Sequence, residues 1–289
     1  MRLSLFTAAL LAFATGCVQG QPPRPLVVLV HGRGHLEDDS TALRREWKRH
    51  LDTALTRAGA EALRDDDVRL AWYADIMDPS RDAQCRRGIA DGGDSLGVET
   101  FARDFLSSLA AALPAGESRG ARTILGDMLY ALDGSRRCAA EERLETVMAQ
   151  AIQDRRPIVL VAYSLGALVT YAVLDGVEAA AGGRVALVTL GSPLGDADIR
   201  ALLGSSPDSL RFPPGVAYWE NVYDPGDVFA SPIADIVTGA QDAQLSTRGA
   251  DAVEAHLVIR YLTDRATGAA LTRALCAVNT ATACAVVKK

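Results

Sequence analysis

Continuous apolar runs alternate with amphipathic stretches along most of this chain. Leu26 to Val30 is β-branched and leucine throughout, and a run apolar on both faces predicts a central strand of a parallel sheet. From Ser40 to Ala58 the apolar positions Leu43, Trp47, Leu51 and Leu55 recur every four residues with Arg and Lys between them. That period predicts a helix, with Ser40 as its N-cap and Gly59 as its stop. Val68 to Ile76 predicts a second strand, and Ile158 to Ala162 a third. The third is followed at once by the turn Tyr163-Ser164-Leu165-Gly166 and an apolar helix from Ala167 to about Ala181. Arg184 to Leu190 and Val216 to Tyr223 predict two further strands, running into Gly191-Ser192-Pro193-Leu194-Gly195 and Asp224-Pro225-Gly226-Asp227. His256 opens a last helical stretch through Leu257 to Leu262. Strands alternating with helices predict an α/β protein, with a mostly parallel central sheet and helices on both faces.

Two segments depart from this alternation. Residues 78–157 are the least regular, with helical patterns at Glu99 to Leu113, Thr123 to Leu132 and Cys138 to Asp154. That is more than one crossover helix requires, so the segment reads as an insertion before the Ile158 strand. It either shapes a substrate entrance or adds helical packing. With no repeat and no linker after Pro25, residues 21–289 read as one domain. At the N-terminus, Arg2 precedes the apolar run Leu3 to Ala14, which is too short to cross a bilayer and fits an export signal over residues 1–20. The run ends in Ala14-Thr15-Gly16-Cys17, which resembles the lipobox of bacterial lipoproteins. The resemblance implies cleavage before Cys17 and a lipid on its thiol; the alternative is an ordinary signal cut after Gly20. The expected location is the periplasm or outer membrane, tethered through Cys17, or the exterior.

Composition narrows the function. Of 289 residues 49% are hydrophobic, enough for a sizeable core. The net charge is −6 with no basic stripe, which argues against a nucleic-acid partner. Of the five cysteines, four remain once Cys17 is lipidated or removed: Cys85, Cys138, Cys276 and Cys284. An even number in an exported chain predicts two disulfides, with three possible connectivities. Nearest-neighbour pairing would join Cys85 to Cys138 and Cys276 to Cys284. No cysteine stands in a CxxC or beside histidine at ligand spacing, so neither a metal nor a cofactor is expected. Oligomeric state leaves no trace in the pattern.

Open parallel sheets place their sites at the carboxyl ends of strands. Ser164 stands where the third strand gives way to a helix, flanked two residues away by the small Ala162 and Gly166. A nucleophile on so tight a turn needs small neighbours, and the amides of the following helix suit an oxyanion. Ala162-Tyr163-Ser164-Leu165-Gly166 resembles the Gly-x-Ser-x-Gly elbow of the α/β-hydrolase superfamily, with Ala replacing the first Gly. His31-Gly32 is similar to that family's His-Gly turn, and Gly191-Ser192-Pro193-Leu194 to a turn of many lipases and acyltransferases. The resemblance runs from Leu26 to about Leu275 and is poorest between Asp78 and Pro157. It implies a triad in the order Ser164, Asp227, His256, with the amides of Arg33 and Leu165 as oxyanion donors. Asp224 shares the acid's turn and would cap it; Asp227 precedes Val228 and Phe229, as in the family's acid turn. Alternatively both aspartates only shape the turn. Of the four histidines, His31 belongs to the His-Gly turn, His35 to the loop beyond and His50 to the first helix. Only His256 follows the acid.

The expected activity is hydrolysis of a small-molecule or lipid carboxylic ester through an acyl-enzyme. The alternatives are an acyltransferase on the same triad and a non-catalytic, lipid-anchored envelope binding protein. The Arg33 guanidinium either faces the pocket mouth, where it would draw anionic substrates, or points outward to Glu37 or Asp38. The resemblance implies that a lid would fall in the stretch between Gly195 and Phe212.

Overall fold

Six strands, β1 (Leu26–Val30), β2 (Val68–Ala71), β3 (Ile158–Tyr163), β4 (Val185–Leu190), β5 (Val216–Tyr223) and β6 (Gln241–Gln244), form one all-parallel sheet. Their order is β2-β1-β3-β4-β5-β6. The computed structural model describes residues 23–35, 38–78, 82–86, 130, 133–176, 184–202, 209–249 and 251–279. Seven helices occur among them: α1 (Ser40–Arg57), α2 (Gly134–Gln153), α3 (Leu165–Gly176), α4 (Ala197–Leu202), α5 (Ala252–Ala255), α6 (Val258–Thr263) and α7 (Arg265–Val278).

The continuous apolar runs are central strands because both faces are covered. β1, β3 and β4 are buried at every position. Alternate residues feed two separate cores. Val27, Leu29, Val159 and Val161 pack with Leu43, Trp47, Leu51 and Leu55 of α1 and with Ala270, Leu271 and Ala274 of α7. Val28, Val30, Leu160 and Ala162 pack on the opposite face with Leu144 and Met148 of α2 and with Val169 and Val173 of α3. α7 crosses α1 so closely at Gly268 that any side chain there would run into the Ala54 backbone. The α/β class and the two helical layers are as the pattern predicts.

Several boundaries differ, each for a local reason. Asp39, not Ser40, caps α1: its carboxylate accepts from the Ala42 amide at 2.7 Å, and Ser40 is the first helical residue. β2 ends at Ala71 rather than Ile76, because Tyr73 turns away to His31 and Ala74–Met77 forms a 3-10 turn. α2 starts at Gly134, behind the Asp133 cap, rather than at Cys138. His256 does not open the final helical stretch: it closes the short α5, and the stretch itself is two helices, α6 and α7, set off by the extended residues Leu257 and Asp264. β6 is a strand that its polar sequence does not predict; it is an edge strand, and Asp242 fastens it to Asn221, Ile233 and Ala234. The helical stretch expected at 99–113, that at 123–132 apart from Tyr130, and residues 1–22 with Cys17 and both cleavage points lie outside the described residues.

Cys85 and Cys138 are joined, with Cα atoms 5.5 Å apart at a sequence separation of 53. Cys276 is also disulfide-bonded, and Cys284 lies outside the described residues. Closing so long a loop restricts the unfolded chain. Replacing Cys85 and Cys138 together by Ser should therefore lower the unfolding free energy by about 2–4 kcal/mol. Urea denaturation of the oxidised proteins measures this, and an unchanged midpoint would deny the bridge a stabilising role.

Candidate active site

The chain leaves β1 towards β2 on one side and leaves β3 towards β4 on the other. Such a divergence opens a crevice at the carboxyl ends of the two adjacent strands. Ser164 follows β3 directly and holds φ at 52°, the left-handed region that non-glycine residues avoid at roughly 1–3 kcal/mol. The turn is fastened by Ser164 N–H to the Leu190 carbonyl and Ala167 N–H to the Ser164 carbonyl, each 2.9 Å. It is also crowded from β1. A Cβ on Gly166 would collide with the Val30 carbonyl and lie 2.7 Å from that of His31. A Cβ on Gly32 would come within 3.1 Å of the Ser164 Cβ. Both motif glycines are thus required by the same close approach.

Three of the expected residues form one hydrogen-bonded chain. His256, just past α5, places Nε2 3.0 Å from Ser164 Oγ and Nδ1 2.7 Å from Asp227 Oδ2. A carboxylate only accepts here, so Nδ1 carries the proton and the Nε2 lone pair faces the serine hydroxyl. Asp227 is buried, and its charge is met by three donors. Oδ1 accepts from the Phe229 amide at 2.9 Å; Oδ2 accepts from His256 and, at 2.7 Å, from the Tyr261 hydroxyl. Asp224 is met by a separate set of donors. It accepts from the amides of Gly226 and Gly249, both 2.8 Å, and from Arg260 at 3.2 Å, so it braces the turn that carries Asp227.

Around this chain the aromatic residues set the imidazole's position. The Tyr163 hydroxyl donates to the His256 backbone carbonyl, and its ring lies 5.3 Å from the imidazole. The Phe229 ring lies 4.8 Å from the imidazole on its own account. The Arg33 guanidinium stands 5.8 Å over Phe229, which places it on the site side, while Asp38 is engaged by His35 at 2.6 Å. Glu37 lies outside the described residues. Leu165 opens α3 immediately after Ser164, and Arg33 follows the Gly32 that touches Ser164, so both backbone segments expected to supply oxyanion donors flank the serine. His50 makes a contact with Glu46 on α1. Tyr163, Tyr261 and Arg260 escaped the sequence reading, because a tyrosine in an apolar stretch carries no mark distinguishing a hydrogen-bonding role from packing.

His31 is buried at the base of the site. Its Nδ1 donates to the Gly32 carbonyl at 2.6 Å, its Nε2 accepts from the Tyr73 amide at 3.2 Å, and its ring stacks on Tyr73 at 4.1 Å. Burial, and then the neighbouring His35, push its pKa down to about 3. Among the described residues, the one grouping of His, Cys, Asp or Glu atoms close enough to hold a metal is Cys85, Cys138 and Glu142, whose thiols are consumed in the disulfide.

A scan of the chain against protein-family models finds no match, and a search of curated proteins finds none either.

The neutral, buried His31 has a consequence for acid stability. Below its ordinary value of 6.5 the unfolded chain binds a proton that the native protein refuses until about pH 3. Native stability from this residue is therefore complete above pH 6.5 and falls as the pH drops, by up to about 1.4 kcal/mol per unit. Between pH 7.5 and 5 the wild type should lose roughly 2 kcal/mol more than His31→Asn in urea unfolding. Equal losses in the two proteins would contradict the buried neutral state.

Proposed function

We propose that the protein is a serine hydrolase of the α/β-hydrolase type that cleaves carboxylic esters through an acyl-enzyme. The observation that carries this reading is the Ser164–His256–Asp227 chain, built on a serine of left-handed conformation beside the β1–β3 crevice. In this mechanism His256 Nε2 takes the Ser164 proton while Oγ attacks the ester carbonyl. Asp227 holds the tautomer and stabilises the imidazolium. The amides of Arg33 and Leu165, with the N-terminus of α3 behind the latter, bind the developing oxyanion. The imidazolium then gives its proton to the leaving alcohol, and water, deprotonated by His256, releases the acyl group.

The chain order serine, acid, histidine supports the same family, as do the His31-Gly32 and Ser164 turns on neighbouring strands. A binding protein without chemistry gives no reason to hold a serine in a strained conformation against an imidazole. For the substrate, the residues immediately after the acid and the base are informative: Val228 is 63% exposed and Leu257 45%. Large apolar side chains beside the triad favour an apolar acyl or alkoxy group. The export pattern ending at Cys17 supports action outside the cytoplasm on a lipid tether, and the Cys85–Cys138 disulfide fits an oxidising compartment.

Ser164→Ala should abolish labelling by a fluorophosphonate probe and lower ester turnover by on the order of 10⁴-fold or more, with the fold intact by circular dichroism. p-Nitrophenyl esters of increasing chain length supply the turnover assay. Labelling or turnover that survives in the variant overturns the proposal, and product transfer to an added alcohol would assign the acyltransferase chemistry instead.

A further inference from the structure

We propose that Tyr261 is a positioning residue of this site, whose hydroxyl orients Asp227 and sets how strongly that carboxylate holds the imidazole proton. This rests on the hydrolase reading and adds a fourth member to its hydrogen-bonded chain. The hydroxyl lies 2.7 Å from Asp227 Oδ2, the same oxygen that His256 Nδ1 reaches at 2.7 Å. The direction of its proton follows from its other partner. The Asp224 amide donates to the same hydroxyl at 3.1 Å, so the phenol oxygen accepts there and its hydrogen goes to Asp227. Asp227 Oδ1 is already occupied by the Phe229 amide. The carboxylate is therefore fixed in rotation by one donor on one oxygen and two on the other.

The ring is placed as firmly as the hydroxyl. Tyr261 is fully buried in α6, and its ring lies 5.9 Å from that of Tyr163. A side chain on Gly191, at the end of β4, would approach within 3.2 Å of it. Tyr261 thus fills the space between the ends of β3 and β4 and the turn after β5. The neighbouring Arg260 grips Asp224 from the same helix and pairs with Glu254 at 3.5 Å. Burial, and then the adjacent Asp227, raise the phenol's pKa well above its ordinary value, which keeps it a neutral donor throughout any assay range.

Two donors on one carboxylate oxygen compete for its charge. The neutral phenol takes part of the attraction that would otherwise stabilise the imidazolium. Without it, the imidazole holds its proton more tightly and the neutral base forms at higher pH. The other groups around the imidazole are Tyr163 on its backbone carbonyl, Arg33 across Phe229, and Asp224 with Arg260 and Glu254 behind the phenol. Tyr261 acts only through Asp227 and does not contact the reacting atoms.

The test is the pH profile of kcat/KM for a p-nitrophenyl ester. Wild type is compared with Tyr261→Phe and with a protein carrying a ring-fluorinated tyrosine at 261, whose more acidic hydroxyl is a stronger donor. Tyr261→Phe should lower kcat by about tenfold with KM within about twofold, and move the acid limb up by about half a pH unit. The fluorinated residue should move the acid limb down instead. In an Asp227→Asn background the loss of the hydroxyl should change kcat by less than about twofold, because the group it acts through is gone. An acid limb unmoved by either replacement, or a full effect in the Asp227→Asn background, overturns the proposal. If Tyr261→Phe fails to fold, the fluorinated protein decides alone, since it keeps both ring and hydroxyl. A wild type with no Ser164-dependent turnover overturns the hydrolase reading and this role with it. An active wild type with an unmoved limb overturns the positioning role alone.

Discussion

β1 and β3 pair in parallel at the centre of the sheet, with Val30 opposite Ala162, and the segments that leave them are pressed together. The carbonyls of Val30 and His31 occupy the space where a side chain at position 166 would go, and Tyr163 with Ser164 occupies that of a side chain at 32. A bulkier residue at either place would have to push the two strand ends apart. Packed interiors do not yield in that way without losing contacts across both helical layers. The left-handed conformation of Ser164 is one outcome of this approach: the chain must leave β3 and enter α3 within a single residue, beneath the β1 loop. The buried, uncharged state of His31 is another, because the same loop seals it against Tyr73.

Burying two aspartates on one turn is costly unless every oxygen is met. Asp224 is met by two amides and Arg260, and Asp227 by one amide, Tyr261 and His256. The two carboxylates divide the work. Asp224 fixes the turn by holding Gly226 inside it and Gly249 in the segment that returns to His256. Asp227 then has one orientation left to it. Tyr261 spans both aspartates, through one amide and one carboxylate, so the brace and the acid are mechanically joined rather than merely adjacent.

Much of this was legible in the sequence, for a physical reason. Strands buried on both faces must be apolar throughout, so β1, β3 and β4 announce themselves, and the amphipathic period of α1 does the same. Ser164, Asp227 and His256 could be named because their order is constrained and because Ser164 and Asp227 stand in turns just past strands. The unread parts are those held by tertiary contacts. β6 is polar because it is an edge, and nothing in Gln241 to Gln244 favours a strand apart from its pairing with β5. β2 is cut short by a histidine 42 residues before Tyr73 in the chain. Tyr261 looks like a core residue, and by burial it is one; its hydroxyl's partners arrive from a different turn.

Ala162 is where the elbow departs from the family pattern it resembles, and the geometry explains why the departure costs little. The crowding that demands glycine lies across the β1–β3 junction, at positions 32 and 166. Position 162 is one step back inside β3, paired with Val30 on one side and Thr189 on the other. Its methyl group enters the apolar layer with Val30 and Leu160, where a small side chain adds buried contact. The room the serine needs is therefore supplied by two glycines, and the strand residue is free to contribute to the core.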